Sequence, residues 1–306
     1  MTRALASFDR ALLARVATGA VLGPAMVVAA LLDGWRALLG LPLLVVVIAI
    51  ASLGTEELAV MLRKRRPQSS GKAQKHTEQP PRVGAAVGSL PPLFIYFLGR
   101  DYENWVLAAL SLVIVFNVLA VALAYIADIT KRKLAGALDA VLLTAGGIYI
   151  GGGLTFILLL RNLGGAAKEP MGCWPVLLLF ALTWAVDISA YFAGKRLGRV
   201  RLASRVSPGK TVEGSLIGLA AAVVIMLVAF ALGLRQFTTL PAAVVIGLVV
   251  GGCAQGGDLF ESAVKRWAGV KDSGEMLPGH GGILDRFDSM ILSAPALYVC
   301  LVLMLQ

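Results

Sequence analysis

The chain has 306 residues, of which 58% are hydrophobic and 15% are charged, and its mean hydropathy is +0.81. This apolar content exceeds that of soluble domains and excludes a disordered chain. The formal charge of +10 does not indicate a nucleic-acid partner, because aromatic residues do not interleave with the basic ones. Long apolar runs without strand-like alternation predict an all-α, polytopic membrane protein.

Nine apolar runs are long enough to be membrane-spanning helices. They cover residues 16–32, 37–62, 83–99, 105–127, 140–160, 173–193, 214–234, 241–263 and 287–305. The first run follows three arginines, as in a signal peptide, but the second run begins so soon after it that a retained span is favoured. The sequence therefore predicts a bundle of about nine transmembrane helices.

Positive charge is distributed unevenly between the breaks that separate these runs. Of the 28 Lys and Arg residues, 23 lie in the N-terminal segment and in the alternate breaks at 63–82, 131–133, 195–210 and 265–286. Cytoplasmic loops of membrane proteins hold an excess of Lys and Arg. We therefore expect a cytoplasmic N-terminus and an outer C-terminus in the cell (inner or plasma) membrane.

The chain divides into two predicted parts. Residues 1–172 hold helices 1 to 5 with the basic, proline-flanked loop 63–82, and residues 173–306 hold helices 6 to 9 with cytoplasmic loops 194–213 and 264–286. Glycines between residues 146 and 153 predict close helix packing or a local helix break. The second part carries the functional residues.

Asp258, Glu261, Ser262 and Lys265 recur at three- and four-residue spacing, which predicts one helix face. A carboxylate inside a membrane helix is costly unless it is paired or bound to a metal. A structural ion pair from Asp258 to Lys265 or Arg266 is the alternative to a functional site.

Asp187 is a second carboxylate inside an apolar run. A functional role and a hydrogen bond within the helix bundle, to Thr183 or Ser189, are equal alternatives for it.

Asp285 and Asp288 lie three residues apart at the start of the last run. With Asp258 they offer three hard oxygen donors, which suit Mg²⁺. The alternative, aspartates favoured by a helix N-terminus, explains one such residue better than two. The preceding PGHGG segment, 278–282, could present backbone amides to a phosphate, or form only a turn.

Ser207, Lys210 and Thr211 surround a Pro-Gly turn in the other charged loop, and they could hold phosphates. Turn formation and retention of positive charge explain much of the same composition. The loop lacks the spacing of a Walker motif, so no P-loop fold is predicted.

Residues 262–288 carry the pattern SxVKRxxxxKDSGxxLPGHGGxxDRxD, which resembles the signature of the phosphatidate cytidylyltransferases, or CDP-diacylglycerol synthases. Residues 187–214, with their SPxKTxEG core, resemble that family's other cytoplasmic loop. The resemblance implies a reaction of CTP with phosphatidic acid, giving CDP-diacylglycerol and pyrophosphate. It also implies a requirement for Mg²⁺, with a second cation left open, contact with membrane lipids and a homodimer.

The resemblance also implies roles for individual residues. The catalytic set is Asp258, Lys265, His280, Asp285 and Asp288, and its three aspartates are the metal ligands. His280 is expected to contact phosphate or the leaving group, because an anionic lipid phosphate needs no strong base. The substrate-binding set is Asp187, Ser207, Lys210, Thr211, Glu213, Ser262, Arg266, Lys271, Asp272, Gly281, Gly282 and Arg286.

Two other functions are alternatives. One is a different CTP-dependent membrane lipid transferase or kinase. The other is a secondary transporter, in which intramembrane residues such as Asp187 and Asp258 are ordinary features. The absence of a paired internal repeat in the sequence disfavours the transporter.

Overall fold

The computed structural model describes residues 24–25, 27–32, 41–64, 83–98, 134–163, 173–274, 276 and 281–305. The helices are α1 Leu41–Lys64, α2 Val83–Leu98, α3 Leu134–Gly147, α4 Gly153–Arg161, α5 Trp174–Leu197, α6 Val212–Leu232, α7 Leu240–Trp267 and α8 Leu284–Leu305. A π-helical turn, Ile148–Gly152, joins α3 to α4, and a 3₁₀ turn, Leu234–Gln236, follows α6. Strands β1, Arg201–Ala203, and β2, Ser207–Thr211, form an antiparallel hairpin between α5 and α6.

Within the described residues, six helical segments are long and apolar enough to cross a membrane. They are Leu41–Leu62, Val141–Arg161, Trp174–Leu197, Val212–Leu232, Leu240–Trp267 and Leu284–Met304, and Val87–Tyr96 is a shorter apolar helix. The predicted helical membrane bundle is confirmed. The predicted spans at 16–32 and 105–127 lie mostly or wholly outside the described residues, as does most of the basic loop 63–82. The number nine, the division into two parts and the orientation of the termini therefore stay predictions.

The two charged loops are shorter than the sequence predicted. Helix α5 continues to Leu197, α7 continues to Trp267, and α8 begins at Leu284, which is three or four residues beyond the approximate limits of the predicted apolar spans at 193, 263 and 287. Hydropathy marks where the chain leaves lipid, whereas helical hydrogen bonding continues into the polar region. The hairpin within 194–213 was not predicted either, because its strands are too short to show an alternating pattern.

Glycines pack α4 and the π-helical turn closely against other helices. A Cβ atom on Gly151 would overlap the carbonyl oxygen of Gly88 in α2, and one on Gly153 would overlap that of Ile291 in α8. Both predicted features of this segment, close packing and a local break, are present.

Helices α5, α6, α7 and α8 pack side by side, and β2 contacts α5, α6 and α7. Large apolar side chains such as Leu179 and Phe180 are buried between helices, while Leu216, Val224 and Leu232 of α6 are exposed, as a lipid-facing surface requires. The C-terminal ends of α5 and α7 and the N-terminal ends of α6 and α8 meet at the hairpin. The two charged loops therefore lie at the same end of the bundle.

Candidate active site

A cavity of about 1340 Å³ lies where the hairpin meets α5, α7 and α8. This volume exceeds that of ordinary small-molecule pockets. The charged residues that line it are Asp187, Asp258, Asp272, Asp285, Asp288, Lys195, Lys210, Lys265 and Arg286. Carboxylates and cations thus face the same space at the polar end of the helices, which suits a highly charged ligand together with cations.

Asp258 and Ser262 lie on the predicted face of α7, where the Ser262 hydroxyl donates to Asp258 Oδ1 at 3.4 Å. The other carboxylate oxygen, Oδ2, pairs with Lys210 Nζ at 2.5 Å. An ion pair for Asp258 is therefore present, but its partner is on β2 and is neither Lys265 nor Arg266. The pair links the hairpin to the middle of the cavity.

Lys265 belongs to a buried triad with two carboxylates. Its Nζ lies 2.5 Å from Asp285 Oδ1 and 3.2 Å from Glu261 Oε2. The side chains of Lys265, Glu261 and Asp285 are only 11%, 3% and 6% exposed. The second oxygen of Glu261, Oε1, is buried and faces no N–H donor among the described residues, and the Glu261 carboxylate lies beside that of Asp288. The triad therefore carries one more negative than positive charge when all three groups are ionised.

Asp285 holds the turn that precedes α8. Its Oδ2 accepts hydrogen bonds from the Ser273 amide at 2.9 Å and the Gly282 amide at 2.8 Å, and lies 3.0 Å from the Ser273 hydroxyl. Gly281 has a φ of +79°, and a Cβ atom there would lie 2.6 Å from Asp285 Oδ2. Only glycine suits this left-handed position against the carboxylate.

Glu57 of α1 reaches the same turn, although the sequence analysis assigned it no role. Its Oε1 accepts from the Ile283 amide at 2.8 Å, and its Oε2 accepts from the Leu284 amide at 2.9 Å. With Gly282 bound to Asp285, three successive amides at the start of α8 already have carboxylate acceptors. Only Gly281 and Gly282 of the segment 278–282 are described, and the Gly282 amide donates to Asp285, so phosphate binding by this segment stays a prediction. His280 lies outside the described residues.

Asp187 and Asp288 approach each other through Ser289. The Ser289 hydroxyl lies 3.4 Å from Asp187 Oδ2 and 3.3 Å from Asp288 Oδ1, and the Ser289 amide donates to Asp288 Oδ1 at 2.6 Å. Thr183 and Ser189 instead donate to backbone carbonyls of α5, so neither is the expected partner of Asp187. This carboxylate therefore belongs to the cavity and faces α8.

The aspartates differ in how well they fit a cation. Asp187, Asp258 and Asp288 lie within electrostatic range of one another, and a bound cation would relieve their repulsion. Carboxylate oxygens are the ligands that Mg²⁺ prefers. In the described part of the chain, no three such side chains are already placed as a ligand set. Asp285 is held by Lys265 and by the amides of Ser273 and Gly282. Asp258 has only the Ser262 hydroxyl at 3.4 Å and the partly exposed Lys210 as partners, so Asp258 and Asp288 fit a hard cation better than Asp285 does.

The residues of the hairpin loop have separate tasks. Lys210 and Thr211 both line the cavity, and Thr211 also caps α6 by accepting from the Gly214 amide at 3.1 Å. Glu213 accepts from the amides of Arg199 and Val200 at 3.0 and 3.2 Å. Thr211 and Glu213 thus hold the local backbone, which the motif alone does not distinguish from substrate binding.

Arg266 is also engaged with backbone, since it donates to the carbonyls of Val206 and Val270 at 3.1 and 3.0 Å. Asp272 and Arg286 line the cavity, whereas the exposed Lys271 and the half-buried Ser207 do not. Of the predicted cationic contacts, Lys210, Lys265 and Arg286 are therefore the ones placed around the cavity.

Sequence reasoning missed several polar residues of this region besides Glu57. Ser273 links Glu57 to Asp285, and Gln255 lines the cavity while its amide nitrogen donates to the Ser215 carbonyl at 2.9 Å. Glu57 and Gln255 are both polar residues within apolar runs. That signal, which identified Asp187 and Asp258, could have found them.

The cytidylyltransferase family model matches residues 13–304 of the chain. The phosphatidate cytidylyltransferase of Synechocystis sp. is 42% identical over 182 residues, which cover 52% of this chain and 61% of the relative. Those of Brucella abortus and Bacillus subtilis are 44% and 40% identical, cover 51% and 53% of this chain, and match over 55% and 58% of their own lengths. The alignments thus span little more than half of these relatives.

Proposed function

Because this chain belongs to the cytidylyltransferase family, we propose that it condenses CTP with phosphatidic acid to give CDP-diacylglycerol and pyrophosphate. The observation that carries the proposal is the cavity at the polar end of the membrane helices, where Lys210, Lys265 and Arg286 face the aspartates. Relatives that bear the name phosphatidate cytidylyltransferase support the choice of substrates.

In the proposed reaction, an oxygen of the lipid phosphate attacks the α-phosphorus of CTP. A new phosphorus–oxygen bond forms, the bond from the α-phosphorus to the bridging oxygen breaks, and pyrophosphate leaves with that electron pair. The nucleophile is already anionic near neutral pH, so no strong general base is required. The obstacle is the approach of two anions, and the protein must neutralise them.

Lys265 is suited to that task because its charge is held in place by Glu261 and Asp285 on either side. Lys210 is less buried and is carried by the hairpin, so it can move between Asp258 and an incoming phosphate. Arg286 adds a planar cation that can hold phosphate through two hydrogen bonds. These three residues supply the positive charge of the proposed site.

Mg²⁺ is part of the proposal, and Asp258 and Asp288 would hold it. When bound, the ion would neutralise charge on the transferred and leaving phosphates. Asp285 acts differently in this scheme, by fixing Lys265 and the turn before α8.

The lipid substrate accounts for apolar side chains beside the charged ones. Trp184, Ile188 and Tyr191 of α5 line the cavity and are exposed. Phosphatidic acid would present its phosphate to the cations while its acyl chains stay in lipid. We extend the proposal, on the family resemblance, to a cytoplasm-facing site in the cell membrane and to a homodimer.

The test uses purified protein with Mg²⁺, phosphatidic acid vesicles and CTP labelled at either the α- or the γ-phosphate. Transfer of the α-label to lipid, with release of one pyrophosphate per product, is expected. Transfer of the γ-label to a diacylglycerol or polyprenol acceptor would instead identify a lipid kinase. Absence of turnover with all acceptors would refute an enzymatic function, and vesicle uptake assays would then test transport.

A matched pair of variants tests the placement of the site. Lys210→Gln and Arg235→Gln each remove one positive charge, but Arg235 follows α6 at the opposite end of the bundle. We expect Lys210→Gln to lower the rate of α-label transfer roughly tenfold or more, because one charge-assisted contact is lost. Equal rates for the two variants would contradict the assignment.

A further inference from the structure

Glu57 is a buried carboxylate on α1. It accepts hydrogen bonds from a turn that lies more than 200 residues further along the chain. It is 5% exposed. Besides the two amides of Ile283 and Leu284, its Oε2 accepts from the Ser273 hydroxyl at 2.7 Å. Both carboxylate oxygens of Glu57 are thus engaged with the α7–α8 connection.

Two glycines of this connection pack directly against the same carboxylate. A Cβ atom on Gly274 would lie 2.6 Å from Glu57 Oε1, and one on Gly282 would overlap Glu57 Oε2 and the Ser273 hydroxyl. Neither glycine has a positive φ. Their small size is therefore required by the close approach of Glu57 rather than by backbone conformation.

A continuous polar path runs from Glu57 to the cavity. Ser273 contacts Glu57 Oε2 and Asp285 Oδ2, and Asp285 Oδ1 contacts Lys265 Nζ. Asp288 lies one turn further along α8, and Glu57 accepts hydrogen bonds from the amides at the start of that helix. The position of α8 therefore determines where both the Lys265 charge and the Asp288 carboxylate lie.

We propose that Glu57 is a positioning residue of the active site, which holds the start of α8 so that Lys265, Asp285 and Asp288 keep their places around the substrates. The inference rests on the proposed function for its kinetic consequence, whereas the contacts themselves do not depend on it. It gives the N-terminal half of the chain a direct part in catalysis. Glu57 itself touches no substrate in this scheme.

Two properties of Glu57 can be tested separately, its acceptor capacity and its reach. A glutamine has one oxygen and one NH₂ group, so in either orientation Glu57→Gln places donor hydrogens against a backbone amide, that of Ile283 or that of Leu284. Glu57→Asp keeps both oxygens but is one methylene shorter. Glu56→Gln is the matched control, because the preceding residue makes none of these contacts to the turn.

The experiment measures α-label transfer from CTP together with hydrogen–deuterium exchange of residues 273–290. We expect Glu57→Gln to lower kcat on the order of 10- to 100-fold, because small displacements of reacting groups have effects of this size. The KM for CTP should change less than about threefold, since the cations remain. Exchange at Ile283 and Leu284 should become faster, and Glu56→Gln should resemble the unmodified protein in every measurement.

Several results would overturn the inference. One is a Glu57→Gln protein with unchanged kcat and unchanged exchange at α8. Another is a loss of activity that matches the loss of folded protein, which would show a purely structural role. If Glu57→Gln does not fold, Ser273→Ala tests the same path, and unchanged kcat in that variant would refute it. Failure of the unmodified protein to make CDP-lipid would refute the proposed function, while faster exchange would still support the Glu57 contacts.

Discussion

The sharpest stability prediction compares two lysines that pair with aspartate at the same distance. Lys265–Asp285 and Lys210–Asp258 both have a nitrogen–oxygen distance of 2.5 Å. The first pair is 11% and 6% exposed and includes Glu261 as a further partner, whereas the second is 27% and 29% exposed. Replacing each lysine by methionine keeps an unbranched side chain of similar length and removes its charge.

The expected losses differ because burial decides what an unpaired carboxylate costs. Lys265→Met leaves Glu261 and Asp285 buried without a cation, and removal of one partner from such a site lowers the free energy of unfolding by about 3–5 kcal/mol. Lys210→Met leaves Asp258 partly hydrated, and the loss should be about 0–1 kcal/mol. At about 2 °C per kcal/mol, the Lys265 variant should melt roughly 5 °C or more below the Lys210 variant.

Thermal unfolding in one detergent, at one scan rate and with a chelator present measures this difference. Adding Glu261→Gln to Lys265→Met should restore about 1 kcal/mol or more of the free energy of unfolding, because it removes one of the two buried carboxylates that have lost their cation. Equal melting temperatures for the two lysine variants, or no recovery in the double variant, would contradict the reasoning.

Two further predictions concern the aspartates at the start of α8 and the glycines. Asp285→Asn and Asp288→Asn should each abolish CDP-diacylglycerol formation, but raised Mg²⁺ should partly restore only the Asp288 variant; near-normal turnover in both would refute the proposed site. Gly151→Ala should lower the melting temperature by the equivalent of about 1–3 kcal/mol, because its Cβ would overlap the Gly88 carbonyl. Gly252→Ala, where a Cβ meets nothing within 4 Å, should be neutral or stabilising, and equal effects would contradict the described packing.

Properties that depend on local spacing could be predicted from the sequence. Apolar runs predicted the helical membrane bundle, and three- and four-residue spacing placed Asp258, Glu261, Ser262 and Lys265 on one face. Both statements follow from the rise and period of a single helix, which do not depend on what packs beside it. The motif around 262–288 likewise predicted the family.

The partners of these residues were decided by tertiary structure. The sequence offered an ion pair within the same helix only as the alternative to a functional role for Asp258, whereas the fold brings Lys210 to it from β2. The sequence left the glycine segment as either a phosphate site or only a turn, whereas the fold supplies Asp285 as the acceptor for the Gly282 amide and Glu57 for the two amides that follow. The donors of a buried carboxylate are those that the packing of distant parts of the chain brings within hydrogen-bonding distance. The sequence by itself therefore determined the membrane bundle and the chemistry of its polar end. Only the packing of distant elements, β2 against α7 and α1 against α8, decided which donors Asp258 and Glu57 hold.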